Sequence, residues 1–100
     1  MTPPESRILR AALSLPGTYA APRTPTEQQL ADIWCTALHM DCIGVNDNYF
    51  DLGGDSITAA VIFSIILDKF AIAMPFVSLI NAQTIAKLAL EIDREKRERE

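Results

Sequence analysis

A glycine-rich turn followed by a long stretch without charge most constrains what this chain can fold into. Gly53, Gly54 and Asp55 precede Ser56, and residues 57 to 67 carry no charged side chain. Glycines permit a tight turn and aspartate is a preferred N-cap, so Ser56 is predicted to be the first or second residue of a helix. The free N–H groups and positive dipole end of such a helix favour an anion beside the Ser56 hydroxyl.

The predicted helix covers residues 56 to 70 and has two different faces. At about 100° per residue, one stripe of apolar side chains is expected to enter the core. This core stripe consists of Ala59, Ile62, Phe63, Ile66 and Phe70. The opposite stripe, which we call the open face of this helix, consists of Ile57, Ala60, Val61 and Ser64.

Three further helices are predicted. Thr24 and Glu27 form a capping box around a proline at the first helical position, which predicts a helix over residues 25 to 39. A short turn or helix is expected to start at Met74 and Pro75 and to run through Ile80, and Thr84 can cap a last helix. The residues of that last helix expected to face inward are Ile85, Leu88, Ala89 and Ile92.

Residues 41 to 54 are predicted to form a long ordered loop, because apolar residues alternate there with glycine, asparagine and aspartate. We expect Phe50 and Leu52 to fill the interior of the bundle. Their burial would hold the turn before Ser56 in place.

The chain is expected to divide into three parts. Residues 1 to 23 contain four of the six prolines and no sustained period, so a flexible N-terminal segment is predicted. The folded domain is predicted over residues 24 to 93, and residues 94 to 100 form a charged, solvated C-terminal tail. One hundred residues suffice for one small core but leave no room for a catalytic lobe, so we expect no enzyme.

Charge and composition exclude several classes of function. Residues 24 to 93 contain nine acidic and two basic residues, so nucleic acid is a poor partner and a positively charged protein surface a good one. No stretch reaches the roughly 18 apolar residues of a membrane span, and no signal peptide is evident, which predicts a cytoplasmic protein. Cys35, Cys42 and the single histidine, His39, lack metal-site spacing, so we expect reduced thiols and no metal.

The residues around the serine resemble a known motif. Residues 47 to 57 read Asp-Asn-Tyr-Phe-Asp-Leu-Gly-Gly-Asp-Ser-Ile, which resembles the phosphopantetheine attachment motif of thiolation (peptidyl carrier) domains of nonribosomal peptide synthetases and, less closely, of acyl carrier proteins. The resemblance continues on both sides, over about residues 21 to 92. It implies an all-α four-helix bundle of acyl-carrier-protein type, with three longer helices, one short helix and a long loop between the first two.

The resemblance also implies a chemistry. Ser56 would receive 4′-phosphopantetheine from coenzyme A through a separate phosphopantetheinyl transferase, with Gly53, Gly54 and Asp55 as the supporting turn. The thiol of that arm would carry an aminoacyl, peptidyl or acyl group as a thioester. The implied partners are the transferase, a loading adenylating enzyme or acyltransferase, and a downstream condensing or modifying enzyme, which the open face would contact. A monomer is expected.

Three classes of function stay open. A free-standing aminoacyl or peptidyl carrier is favoured, because residues 19 to 27 fit the peptidyl carriers better than the acyl carriers. Loading in trans is expected if Met1 is the natural start, since the chain lacks the Asn-Gly-Lys motif of an adenylation domain. An acyl carrier that serves an acyltransferase and a polyketide synthase comes second, because Asp55 stands where many peptidyl carriers have histidine. The third is a non-carrier helical module in which Ser56 is a regulatory phosphorylation site.

Two other interpretations of these residues fail because the sequence lacks the side chains that they require. A serine hydrolase would need a Gly-x-Ser-x-Gly elbow and an oriented base, and His39 offers neither. Asp47, Asp51 and Asp55 recur every four residues as in a calcium loop, but the bidentate glutamate of such a loop is missing.

Overall fold

The helices of the chain lie almost where their sequence predicts them. The structure, a computed structural model, describes residues 7 to 99, with side chains up to residue 98. It contains a short 3-10 helix (Arg10–Leu13) and the helices α1 (Pro25–Leu38), α2 (Ser56–Phe70), α3 (Val77–Asn81) and α4 (Ile85–Arg99). The all-α prediction of three longer helices and one short one is confirmed. None of the helices in this described part of the chain is long and apolar enough to cross a membrane.

The ends of α1 follow from its local sequence. Thr24 Oγ1 accepts a hydrogen bond from the Glu27 N–H at 3.1 Å, and a proline occupies the first turn. The backbone turns left-handed at His39, where φ is 56°, and this ends the helix one residue earlier than predicted. Leu30 and Trp34 place the apolar side of α1 fully in the core.

The helix α2 has the predicted bounds but a narrower buried stripe. Ala59, Ile62 and Ile66 are buried, as predicted. Phe63 and Phe70 are only partly buried against the core, which corrects the prediction for these two side chains. The reason is that α2 packs chiefly against one helix, α1, which leaves the edges of the predicted stripe only partly covered.

The helix α4 also packs against α1, and its predicted inward residues are all buried. They are Ile85, Leu88, Ala89 and Ile92. Thr84 Oγ1 accepts a hydrogen bond from the Lys87 N–H at 3.3 Å, as a cap should. The helix continues into the segment predicted as a charged tail, where Lys96 Nζ lies 4.9 Å from the centroid of the Phe70 ring. The boundary at residue 93 stays a prediction.

The short helix α3 and Phe76, the residue before it, present several apolar side chains to solvent. Leu79 is buried, whereas Phe76, Val77 and Ile80 are exposed. The sequence predicts a start at Met74 and Pro75 and an end at Ile80, whereas the helix begins at Val77 and ends at Asn81.

The loop between α1 and α2 is held by core packing. Leu52 is buried, as predicted, and so are Val45 and Tyr49. Phe50 is exposed, so the prediction that it fills the interior is wrong. Tyr49 takes the interior position instead, and the Phe50 ring packs edge-on against it with 5.4 Å between the ring centroids.

The N-terminal segment predicted to be flexible contacts this loop. Ile8 and Met40 form an isolated parallel bridge. Nε and a terminal nitrogen of Arg10 bind the two carboxylate oxygens of Asp47, each at 2.6 Å. This part of the N-terminal segment is therefore less free than predicted, because Arg10 pairs with the mostly buried carboxylate of Asp47. The first six residues lie outside those described, and the boundary at residue 23 stays a prediction.

Candidate functional site

The serine turn, residues 53 to 56, depends on its two glycines for different reasons. Gly53 has a φ of +87°, a left-handed conformation that glycine adopts without strain. Gly54 lies against the Tyr49 ring, and a Cβ atom at Gly54 would overlap the ring atoms Cδ2, Cε2 and Cζ. The Gly54 N–H also donates to the Tyr49 carbonyl at 3.1 Å. Both glycines predicted to support the turn are therefore placed where a larger side chain is disfavoured.

Asp55 caps α2, as predicted. Its Oδ1 accepts a hydrogen bond from the Thr58 N–H at 2.8 Å, and its backbone is extended, as is typical of an N-cap. The hydrogen bond from Thr58 lowers the pKa of Asp55 below its ordinary value of 3.8. The side chain is therefore ionised at neutral pH and stabilises the positive end of the helix.

Ser56 is the first residue of α2 and is exposed. Within the described residues its hydroxyl has no hydrogen-bond partner. The first N–H groups of this 15-residue helix lack carbonyl partners four residues earlier, so the end of the helix beside Ser56 favours a negative group. An exposed, uncommitted hydroxyl at such a place accommodates a phosphodiester that leads to a long arm. The residues present therefore fit a covalent phosphopantetheine.

Tyr49 supports the serine turn from inside the bundle, a role that the sequence pattern did not reveal. Its side chain is fully buried, and its ring lies edge-on to Trp34 with 5.3 Å between centroids. Its hydroxyl donates to the Asp55 carbonyl at 2.8 Å. Burial raises the pKa of Tyr49 above its ordinary value of 10.0, so the hydroxyl remains a donor at neutral pH. The sequence did contain a signal for this role, a tyrosine within an apolar loop. A buried tyrosine usually finds a polar partner for its hydroxyl.

The open face of α2 is oriented as predicted. Ile57 and Val61 are 77% and 49% exposed, and Ala60 and Ser64 are exposed as well. None of the four carries a charge, so this face presents apolar and hydroxyl groups to solvent beside the Ser56 hydroxyl. Its role in partner binding stays a prediction.

The acidic residues that resemble a calcium loop have other tasks. The Asp47 carboxylate binds Arg10, and it also accepts the Gly44 N–H at 2.7 Å. Asp55 caps α2, and both Asp51 and Asp55 are exposed to solvent. Between residues 7 and 99 no cluster of three histidine, cysteine or acidic side chains could hold a metal ion.

The two cysteines are free thiols of low reactivity. Burial raises the pKa of Cys35 to about 11. The pKa of Cys42 is also raised, first by burial and then by the nearby Asp41 carboxylate. Because the thiolate is the nucleophilic form, neither side chain supplies a strong nucleophile near neutral pH.

Comparison with known proteins gives a consistent assignment. Residues 28 to 92 match the family described as the phosphopantetheine attachment site. A linear gramicidin synthase polypeptide of Brevibacillus parabrevis is 42% identical over 94 residues, which cover 86% of this chain and 2% of that protein. The chain thus spans only a small fraction of the length of this relative.

Solved structures agree with the fold. An active-site mutant of a peptidyl carrier protein, studied in solution, superimposes with a TM-score of 0.76 at 29% identity, covering 80% of this chain and 89% of that one. A chain from the complex of the phosphopantetheine transferase Sfp with coenzyme A and a peptidyl carrier protein gives a TM-score of 0.74 at 30% identity, covering 76% and 99%.

The family match covers more than half of the chain and includes the whole serine turn. The fold is that of the peptidyl carrier proteins, and a dimodular nonribosomal peptide synthase of Bacillus subtilis is another relative, 35% identical over 95 residues that cover 90% of this chain and 4% of that protein. This chain therefore belongs to the phosphopantetheine attachment-site family, as a non-catalytic carrier domain of the peptidyl carrier type.

Proposed function

We propose that Ser56 is the sole attachment site for phosphopantetheine and that the domain carries an aminoacyl or peptidyl group as a thioester. The observation that supports this most directly is the exposed, uncommitted Ser56 hydroxyl at the first residue of α2. When bound, phosphopantetheine supplies a terminal thiol on a flexible arm, so no cysteine of the chain is needed for the chemistry.

In the attachment step, Ser56 Oγ forms a bond to the coenzyme A phosphorus that bears the pantetheine. The bond from this phosphorus to the oxygen of the adenosine bisphosphate breaks, and adenosine 3′,5′-bisphosphate leaves with the bond's electron pair. The serine proton passes to a base of the transferase or to water. The chain contributes an accessible oxygen and a helix end that favours the phosphate charge.

The open face of α2 is the proposed contact surface for the transferase and for the enzymes that load and unload the arm. Ile57 and Val61 are exposed next to the attachment point, and residues 57 to 67 lack charge. Contact with these partners therefore depends on burial of apolar area, with a smaller contribution from ion pairs. A phosphopantetheinyl transferase is the first expected partner, because a carrier of similar fold occurs in complex with one.

Loading by an adenylating enzyme is proposed in preference to loading by an acyltransferase, because the relatives are peptide synthetases. Asp55, the residue that favours the acyl-carrier alternative, acts here as a helix cap, a task that many side chains perform equally well. Loading in trans and a cytoplasmic location, which the free thiols of Cys35 and Cys42 suit, remain parts of this proposal.

Intact-protein mass spectrometry tests the attachment. Wild type, Ser56→Ala and Ser14→Ala are incubated with coenzyme A and a broad-specificity transferase. Wild type and Ser14→Ala, whose serine is exposed outside α2, should each gain one phosphopantetheine, and Ser56→Ala none. An arm on Ser56→Ala would contradict the assignment. Circular dichroism confirms that each variant is folded.

The cargo class is tested on the modified protein. It is incubated with separate adenylating enzymes, amino acids and ATP, or with acyltransferases and acyl-coenzyme A. Aminoacyl thioesters formed only with the adenylating enzymes would support the proposal. Acyl thioesters formed only with the acyltransferases would favour the acyl-carrier alternative.

A further inference from the structure

Tyr49 is fixed to its surroundings at three points. Its N–H donates to the Gln83 carbonyl at 2.8 Å, between α3 and α4. Its carbonyl accepts the Gly54 N–H at 3.1 Å. Its hydroxyl donates to the Asp55 carbonyl at 2.8 Å. These bonds join the end of the loop, the start of α2 and the segment before α4.

The ring of Tyr49 is equally constrained. It is fully buried, it lies edge-on to Trp34 and Phe50, and Gly54 provides the space beside it. A ring packed in this way has little freedom to turn. The hydroxyl at its end therefore holds a fixed position relative to Asp55.

The carbonyl that this hydroxyl binds belongs to the peptide group that joins Asp55 to Ser56. The same oxygen accepts the Ala59 N–H at 3.0 Å, the first hydrogen bond of α2. Because a peptide group is planar, a second hydrogen bond to its oxygen also restrains its nitrogen, which is the Ser56 nitrogen. The Tyr49 hydroxyl thus restrains the backbone from which the Ser56 side chain projects.

We propose that Tyr49 is a positioning residue for Ser56: its hydroxyl orients the peptide group between Asp55 and Ser56 and thereby sets the direction in which the Ser56 side chain projects from the backbone toward the transferase. This inference rests on the proposed function of Ser56. Tyr49 does not contact the reacting atoms, because it acts through the carbonyl of Asp55. A purely structural tyrosine would contribute only stability to the bundle.

The test compares Tyr49→Phe with Thr26→Val. The first variant keeps the ring and removes the hydroxyl. The second also removes a buried hydroxyl with one hydrogen bond, the 2.6 Å bond from Thr26 to Asp93 between α1 and α4, but leaves the serine turn unchanged. Wild type and Ser56→Ala complete the set. Single-turnover attachment of phosphopantetheine is followed by mass at several transferase concentrations, so that binding and the chemical step are separated.

The expected result is specific to the serine turn. Tyr49→Phe should lower the attachment rate at saturating transferase about three- to tenfold, with the half-saturating concentration unchanged, because a misdirected nucleophile reacts more slowly without binding less. Thr26→Val should react at the wild-type rate. In ¹⁵N NMR spectra of the unmodified proteins, the Ser56 amide signal should move in Tyr49→Phe and not in Thr26→Val.

Each contrary outcome has a distinct meaning. If Tyr49→Phe reacts at the wild-type rate, or both variants slow equally, Tyr49 acts only on stability and the inference is wrong while the proposed function stands. The same holds if the Ser56 amide signal does not move. If wild type itself gains no phosphopantetheine, the proposed function fails and the inference fails with it.

Discussion

The helices α2 and α4 have the same length and both pack against α1, yet they use their surfaces differently. Each contains 15 residues. The helix α4 has charged side chains on most of its unburied positions beyond residue 90, whereas α2 has no charge over residues 57 to 67. Among the described side chains, the more apolar helix nevertheless buries fewer, three in α2 against four in α4.

Packing against the core accounts for the apolar residues of α4 but not for all of those of α2. Amphipathic patterning explains α4, where the apolar stripe matches the core and the remainder faces water. It does not explain α2, where Ile57, Val61 and Leu67 are 77%, 49% and 51% exposed. Contiguous exposed apolar side chains are typical of interaction surfaces. The composition of α2 therefore fits the proposal that its open face binds partners.

The largest effect is expected in the part of α2 that does belong to the core. Ile66 is fully buried and Leu67, the next residue, is half exposed. Ile66→Ala should lower the free energy of unfolding by about 2 to 5 kcal/mol, whereas Leu67→Ala should change it by about 0.5 kcal/mol or less. Urea denaturation measures both. Equal losses would show that α2 is buried on both sides and would remove the contrast with α4.

The loss of unfolding free energy expected for Phe63→Ala is smaller than the sequence implied. A fully buried phenylalanine would lose about 3 to 5 kcal/mol on replacement by alanine. Because Phe63 is only partly buried, we expect Phe63→Ala to cost less than Ile66→Ala in the same denaturation series. A larger loss of stability for Phe63→Ala than for Ile66→Ala would show that Phe63 lies in the core, as the sequence predicts.

The open face of α2 is compared with α4 by matched charge substitutions. Val61→Glu and Leu90→Glu each place a carboxylate on an exposed apolar position, 49% and 69% exposed respectively. Both variants should keep their stability within about 0.5 kcal/mol. Only Val61→Glu should slow attachment or loading of the arm, by about tenfold or about 1.4 kcal/mol, because it puts a charge into an apolar contact.

Stability and transfer rate together decide the outcome for these two variants. A collapse of stability in Val61→Glu would mean that this side chain is buried. Equal transfer rates for Val61→Glu, Leu90→Glu and wild type would show that the docking surface does not lie on α2. The exposed apolar residues of α3 would then be the next candidates.

The smallest effect concerns α1, the helix against which both others pack. Burial alone would raise the pKa of Glu27, but hydrogen bonds from the Arg23 N–H and guanidinium outweigh it and hold this pKa below 4.5. A carboxyl whose pKa is lower in the folded state stabilises the fold above its unfolded-state pKa. This contribution is lost as the pH falls through the folded-state pKa.

Glu27→Gln should therefore be less stable than wild type at pH 7, by about 1 kcal/mol, with the difference shrinking below about pH 4.5. Glu98→Gln, an exposed control on α4, should unfold with a free energy within about 0.5 kcal/mol of wild type. Urea denaturation at pH 7 and pH 3 measures both variants. A difference that persists undiminished at pH 3 would show that packing, and not the charge of Glu27, is responsible.

The sequence by itself determined the helices, their starting caps and the serine. These features depend on residues within one or two turns of each other, as between Thr24 and Glu27 or Asp55 and Thr58, so the local sequence contains what is needed to predict them. Periodicity also identified which side of α2 faces the core, because the rise and twist of a helix are fixed.

Only the tertiary structure decided which side chains fill the space between the helices. The loop pattern suggested Phe50 as a core residue, but the cavity beside Trp34 and Gly54 accepts the Tyr49 ring and leaves Phe50 outside. The pairing of Arg10 with Asp47, 37 residues away, could not be predicted from the sequence either. Such contacts depend on how distant segments meet in three dimensions, and no local periodicity or capping preference specifies that meeting.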